Sequence, residues 1–229
     1  MFENFKVVDL THTLIPSIPT WDGSCGFQVH QISDLKDICT VQKFEMNAGI
    51  GTHMDSPGHF VKGGEDIASI SLERLIVPLH VIDVSKKVDA DYALSHNDVI
   101  EYESKVSRIK EGSLVAVYTG WSTYWHDVHA YRNCDKNGSM HFPKIDLTAA
   151  ELLLKKDIVG IGIDTLSPDG GDLEFPVHHK VLGAGKYLVE NLANLDNVPP
   201  CGAYALVMPL KIQGAVESPI RICGLVPLK

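Results

Sequence analysis

At 229 residues, 45% hydrophobic and 21% charged, the chain has the composition of an ordinary globular protein, which excludes a disordered one. A formal net charge of −9 without a basic stripe argues against a nucleic-acid partner, because phosphate binding needs clustered Lys and Arg. The five cysteines are scattered and odd in number, so neither a disulfide framework nor a cysteine zinc cluster is expected, and a reducing, cytoplasmic setting fits them.

The first residues carry no basic region followed by an apolar run, and no later window nears the length of a membrane span. Residues 7–10 predict a short strand, and the stretch holding Pro16 and Pro19 predicts a loop that presents Trp21. Residues 27–32 alternate apolar and polar side chains like a half-buried strand, and residues 40–46 do the same. Residues 49–60 then bring two imidazoles and a carboxylate together among glycines and a proline, a composition that opposes a helix and predicts an extended strand ending in a turn. Residues two apart on a strand share a face, so His53 and Asp55 project together.

Residues 62–65 mark a turn, residues 71–74 a single helical turn, and residues 79–84 a buried strand in which His80 reads as a satisfied core histidine. Asn97 or Asp98 caps a helix predicted to run through Ile109, with Gly112 just beyond it. The apolar run 114–118 predicts a strand buried on both faces, and its exit places Trp121 as a pocket wall. Residues 124–141 are polar, and His126, His129 and His141 are spaced as solvated loop histidines. Thr148 and Glu151 form a capping box for a short helix, and residues 158–164 predict a strand whose glycines admit close packing. Residues 187–190, 203–208 and 219–226 predict the last strands. The strand, helix, strand order requires a parallel crossover. With no repeat, low-complexity tract or linker, the expectation is one α/β domain over residues 1–229, with a mixed β-sheet core and few helices.

Glu190 ends an apolar run, where a carboxylate is costly unless it is paired or bound to a cation. Together with His53, Asp55, His59 and His178 it forms a nitrogen and oxygen donor set without thiolates, which suits Zn²⁺ or Mn²⁺. Such a cation acidifies water and polarises a carbonyl, which makes hydrolysis the natural reaction class. His59 lies four residues after Asp55, beyond Pro57 and Gly58, where the turn can bring it to the edge of the site as a general acid and base.

Gly51, Thr52, His53, Met54, Asp55, Ser56 and Pro57, followed by His59 and Phe60, resemble the signature of the metal-dependent cyclase-like hydrolases, the group of bacterial kynurenine formamidase and isatin hydrolase. Asp9 and Leu10, the Trp21 loop, residues 119–122, the 164–169 exit and the Pro176, Val177, His178 segment resemble further landmarks in the same order. The resemblance implies a swivelling β/α/β fold, a site of one or two divalent metal ions, a small-molecule substrate and a homo-oligomer, dimer or tetramer. It implies His53, Asp55, His178 and Glu190 as metal ligands, Asp55 as the bridge between two ions, and His59 as the catalytic histidine. It also favours His178 over His179. Trp21 and Trp121 are expected as aromatic walls for a planar substrate.

One position departs from the pattern: where the family carries another histidine, this chain has Gly49. Glu45 and His30 are the substitutes nearest to hand, but an extended chain puts Glu45 about 26 Å from His53, at roughly 3.3 Å per residue. The expected activity is hydrolysis of an amide, formamide or cyclic amide of the N-formylkynurenine type. The alternatives are a metal-dependent lyase, dehydratase or cyclase, and a degenerate, non-catalytic binder of small molecules.

Overall fold

The computed structural model describes residues 4–228 of the chain. Its strands are β1 (Phe5–Asp9), β2 (Phe27–Ser33), β3 (Val41–Met46), β4 (His53–Asp55), β5 (Ile76–Asp83), β6 (Ala93–Leu94), β7 (Leu114–Tyr118), β8 (Lys144–Ile145), β9 (Gly160–Ile163), β10 (Tyr187–Glu190), β11 (Ala203–Pro209) and β12 (Glu217–Pro227). Its α-helices are α1 (His96–Lys105), α2 (Val128–Arg132), α3 (Leu147–Leu154) and α4 (Pro176–Gly183). The mixed sheet and the small number of helices agree with the sequence reading.

The main sheet runs β12, β11, β5, β7, β9, β10, β4, and β4 pairs back onto β12, so seven strands close into a barrel with β1 added outside β12. β5, β7, β9 and β10 pair in parallel, joined by crossovers that carry the helices, and the other pairings are antiparallel. Alternation along each strand sorts the two faces. Leu79, Val81, Leu114, Ala116, Tyr187 and Val189 belong to the cluster inside the barrel. Val115, Val117, Ile161, Ile163 and Leu188 point outward and pack under α1, α3 and α4. Continuous apolar runs on these strands thus follow from burial on both faces.

Gly160 shows why the ninth strand carries glycine. A Cβ there would stand 2.4 Å from the ring of Tyr187, which fills the barrel interior at that level.

Three local expectations are corrected. α1 starts earlier than Asn97, because Ser95 is the cap and forms a capping box with Asp98, and it ends at Lys105, short of Ile109. α3 is capped by Asp146, whose carboxylate accepts the Thr148 N–H and hydroxyl, so Thr148 supports the cap without being it. The polar stretch 124–141 contains α2 and buries Trp125 and Tyr131, although His126 and His129 do lie exposed within it.

Candidate metal centre

The site is laid out by strand register. β4 is three residues long, pairs with β10 on one side and β12 on the other, and sets His53 opposite Glu190 and Asp55 opposite Glu217. Directly opposed residues share a face. On β4 that face is the outer one, since Met54 between them is fully buried in the barrel interior. α4 covers it and contributes His178. Pro176 begins α4, a position where its missing N–H costs nothing, and Phe175 before it takes a left-handed conformation with φ 47°. His178 therefore faces the strands, whereas its neighbour His179 is exposed.

Both imidazoles are aimed. His53 Nδ1 donates to the Gly51 carbonyl at 2.9 Å, and the same carbonyl is held by Asn191 Nδ2 at 2.9 Å. His178 Nδ1 donates to Asp169 Oδ2 at 2.6 Å, and Asp169 also accepts the Val177 and His178 backbone N–H groups. Each ring thus turns Nε2 into one space. There, His53 Nε2 lies 3.3 Å from Glu190 Oε2 and 3.6 Å from Asp55 Oδ1, and His178 Nε2 lies 3.2 Å from Glu190 Oε1 and 3.5 Å from Asp55 Oδ2.

These donors fit a divalent cation. Donors about 2.0–2.2 Å from a tetrahedral ion sit about 3.3 Å from one another, the spacing seen between these Nε2 and carboxylate atoms. Asp55 Oδ1 and Glu190 Oε1 are buried without a hydrogen-bond partner, a costly state for carboxylate oxygens that an ion removes. Two overlapping donor groups, Asp55 with His178 and Glu190, and His53 with Asp55 and Glu217, each hold their ligand atoms within 4.8 Å of one another. Asp55 is common to both.

Electrostatics agree. Burial alone would lower the His53 imidazole, but the Glu190 hydrogen bond and the Asp55 charge outweigh it and raise it to about 10. For His178 burial is likewise overcome, by Asp169, Asp55 and Glu190, and it rises to about 12. Burial works against ionised Asp55, yet the His178, His53 and His59 neighbours hold its carboxyl below the usual range. Glu217 goes the other way: burial, then the Asp55 charge, raises it. The site as a whole attracts positive charge.

A cavity of about 340 Å³ opens over these groups, with Trp21, Phe60 and Phe175 among its walls and His59 at its edge. His59 ends the 3₁₀ turn Pro57–His59 that follows β4, and its side chain is 29% exposed, enough to meet solvent. Trp21 packs on Phe175 with ring centroids 5.6 Å apart.

The structure therefore brings together His53, Asp55, His59, His178, Glu190 and Trp21. Trp121 is not among them. Its indole turns into a buried cluster beside Ile50 and Leu166 and donates to the Tyr131 carbonyl at 2.8 Å, so the strand exit that presents it does not open into the cavity. Glu45 and His30 pair with each other on the β2–β3 hairpin, at 3.6 Å, and take no part in the site. Glu217, Phe60, Phe175, Asp169 and Asn191 went unassigned in the sequence. Glu217 precedes Ser218 and Pro219, outside the strand predicted over 219–226, so no apolar run marks it as one marks Glu190.

The profile of the family described as putative cyclase matches residues 8–170. Isatin hydrolase of Roseibium aggregatum is 32% identical over 97% of this chain and 92% of its own length. Kynurenine formamidase of Maricaulis maris is 27% identical, covering 94% and 96%. The solved isatin hydrolase A of Ralstonia solanacearum superposes with a TM-score of 0.90 at 33% identity, over 97% and 92% of the two chains. A solved protein of Bacillus stearothermophilus described as a predicted metal-dependent hydrolase gives 0.76 at 25% identity, over 96% and 98%. A profile match that includes the strand carrying His53 and Asp55, joined to whole-length likeness in sequence and fold, shows that this chain belongs to the putative cyclase family.

Proposed function

We propose that the chain is a metal-dependent hydrolase of a non-peptide carbon–nitrogen bond, acting on an amide, formamide or cyclic amide attached to an aromatic ring. The observation that carries this reading is the convergence of His53, Asp55, His178 and Glu190, two of whose buried oxygens lack partners, at the base of an aromatic-walled cavity. The named activities of the isatin hydrolase and kynurenine formamidase relatives support the bond type. The isatin-type cyclic amide is the first substrate to assay and the N-formylkynurenine type the second.

His53, Asp55, His178 and Glu190 would hold the cation. A divalent ion there, Zn²⁺ or Mn²⁺, supplies Lewis acidity towards a carbonyl oxygen and acidifies water. Trp21, Phe60 and Phe175 clamp the aromatic part of the substrate and fix the direction in which its carbonyl faces the floor. His59 takes the proton from the attacking water as the carbon–oxygen bond forms, and returns it to nitrogen as the carbon–nitrogen bond breaks. Water, in sum, is split across the scissile bond.

The protein is proposed to act in the cytoplasm as a homo-oligomer; among the described residues no helix is long and apolar enough to cross a membrane. His59→Ala is expected to lower kcat by about 10²–10⁴-fold with the metal content unchanged. Full turnover after exhaustive chelation would overturn the reading, as would a product that takes up no oxygen from labelled water.

A further inference from the structure

We infer that Glu217 is a cation ligand of this chain, standing in the space that Gly49 leaves open and forming with His53 and Asp55 an oxygen-rich subsite whose carboxylates matter more for Mn²⁺ than for Zn²⁺. The inference rests on the reading that Asp55, His178 and Glu190 hold a cation.

A Cβ built on Gly49 would lie 2.1 Å from Glu217 Oε1 and 3.4 Å from His53 Nε2. The carboxylate therefore occupies the volume through which any side chain at position 49 would have to pass, beside the nitrogen that His53 turns to the site. The glycine is not required by the backbone, because Gly49 is absent from the glycines with positive φ. What it leaves open is room for the carboxylate, which a side chain at this position would displace. Chain geometry delivers Glu217 to this point by direct opposition to Asp55 across the β12–β4 pairing.

The side chain also forms a long ion pair with His59. Its other oxygen, Oε2, stands 3.7 Å from His59 Nδ1, beyond hydrogen-bonding range. Three carboxylates, those of Asp55, Glu190 and Glu217, thus converge on two imidazoles. The resulting subsite offers one nitrogen and two carboxylates, and oxygen donors suit Mn²⁺ where imidazole suits Zn²⁺.

The test is calorimetric titration of the chelator-stripped protein with Mn²⁺ and, separately, with Zn²⁺, with the signal of bound Mn²⁺ read by electron paramagnetic resonance. Glu217→Gln is expected to weaken Mn²⁺ binding by about tenfold or more, since even outer-sphere partners of metal ligands act on a 10–100-fold scale, and to weaken Zn²⁺ less. Gly49→Ala is expected to do the same by pushing the carboxylate away, and the double variant to lose no more than Glu217→Gln does alone. If Gly49→Ala melts early, Glu217→Gln decides by itself. Glu217→Gln with wild-type affinity for Mn²⁺ overturns the inference while leaving the Asp55, His178 and Glu190 site in place. A wild-type protein that binds neither ion overturns that site, and the inference with it.

Discussion

Asp169 is buried, and its two oxygens serve three donors: the Val177 N–H at 2.6 Å, the His178 N–H at 3.1 Å and the His178 ring at 2.6 Å. It thus both starts α4 and fixes the tautomer in which Nε2 faces the strands. Asp169→Asn keeps the shape and removes the charge, and is expected to lower metal affinity about 10–100-fold, as such outer partners do. The amide has one acceptor oxygen where the carboxylate has two, so one of the Val177 and His178 N–H groups loses its partner, at about 1–3 kcal/mol. Metal titration and denaturant unfolding read the two effects separately. His53 and Asp55 were legible in the sequence because their relation is local, two steps along one strand. Glu190 was legible because a carboxylate closing an apolar run needs a reason. Glu217 was not, because its relation to Asp55 exists only through a pairing between distant strands, and Trp121 was misplaced because its turn direction depends on a carbonyl acceptor ten residues later.

Among the elements, strands were read better than helix ends. An apolar run buried on both faces announces itself in composition, whereas a helix start depends on which of several neighbouring polar groups reaches the free N–H groups. Ser95 wins over Asn97 because Asp98 can close the box with it, and Asp146 wins over Thr148 because it reaches the Thr148 N–H at 2.7 Å. α4 carries no clear sequence signal, since Pro176 suits a turn as well as a first helical turn. The glycines of β9 were legible as close-approach sites, and their consequence is measurable. Gly160→Ala forces a methyl into the Tyr187 ring and against the Tyr187 carbonyl at 2.7 Å. Overpacking of this kind costs about 1–3 kcal/mol, so urea unfolding is expected to show a lower midpoint for Gly160→Ala, with Gly183→Ala, where a Cβ meets nothing and φ is not positive, as a control for the change in chain entropy alone.

At the scale of the molecule, the β2–β3 hairpin stands apart: among the described residues its strands pair only with each other. Phe27 and Met46 at its base pack into the body, and beyond them the cross-strand pair Val29 and Phe44 is 44% and 59% exposed, with Leu35 and Ile38 bare near the tip. A two-stranded ribbon is marginal by itself, and one that continues an apolar stripe out of the core suits a second copy of the chain. Light scattering is expected to give a dimer or tetramer of the 25.1 kDa chain, and Val29→Ser with Phe44→Ser to shift it towards the monomer; a monomeric wild type would refute the assembly. The barrel closure carries a different consequence, in time. Asp55 and Glu217, which face each other across the seam, are 217 − 55 = 162 residues apart. At about 5–20 residues per second, a ribosome needs roughly 8–30 s to pass from one to the other. Throughout that interval the emerging chain exposes His53 and Asp55 without their partner, so the full donor set is among the last things synthesis delivers.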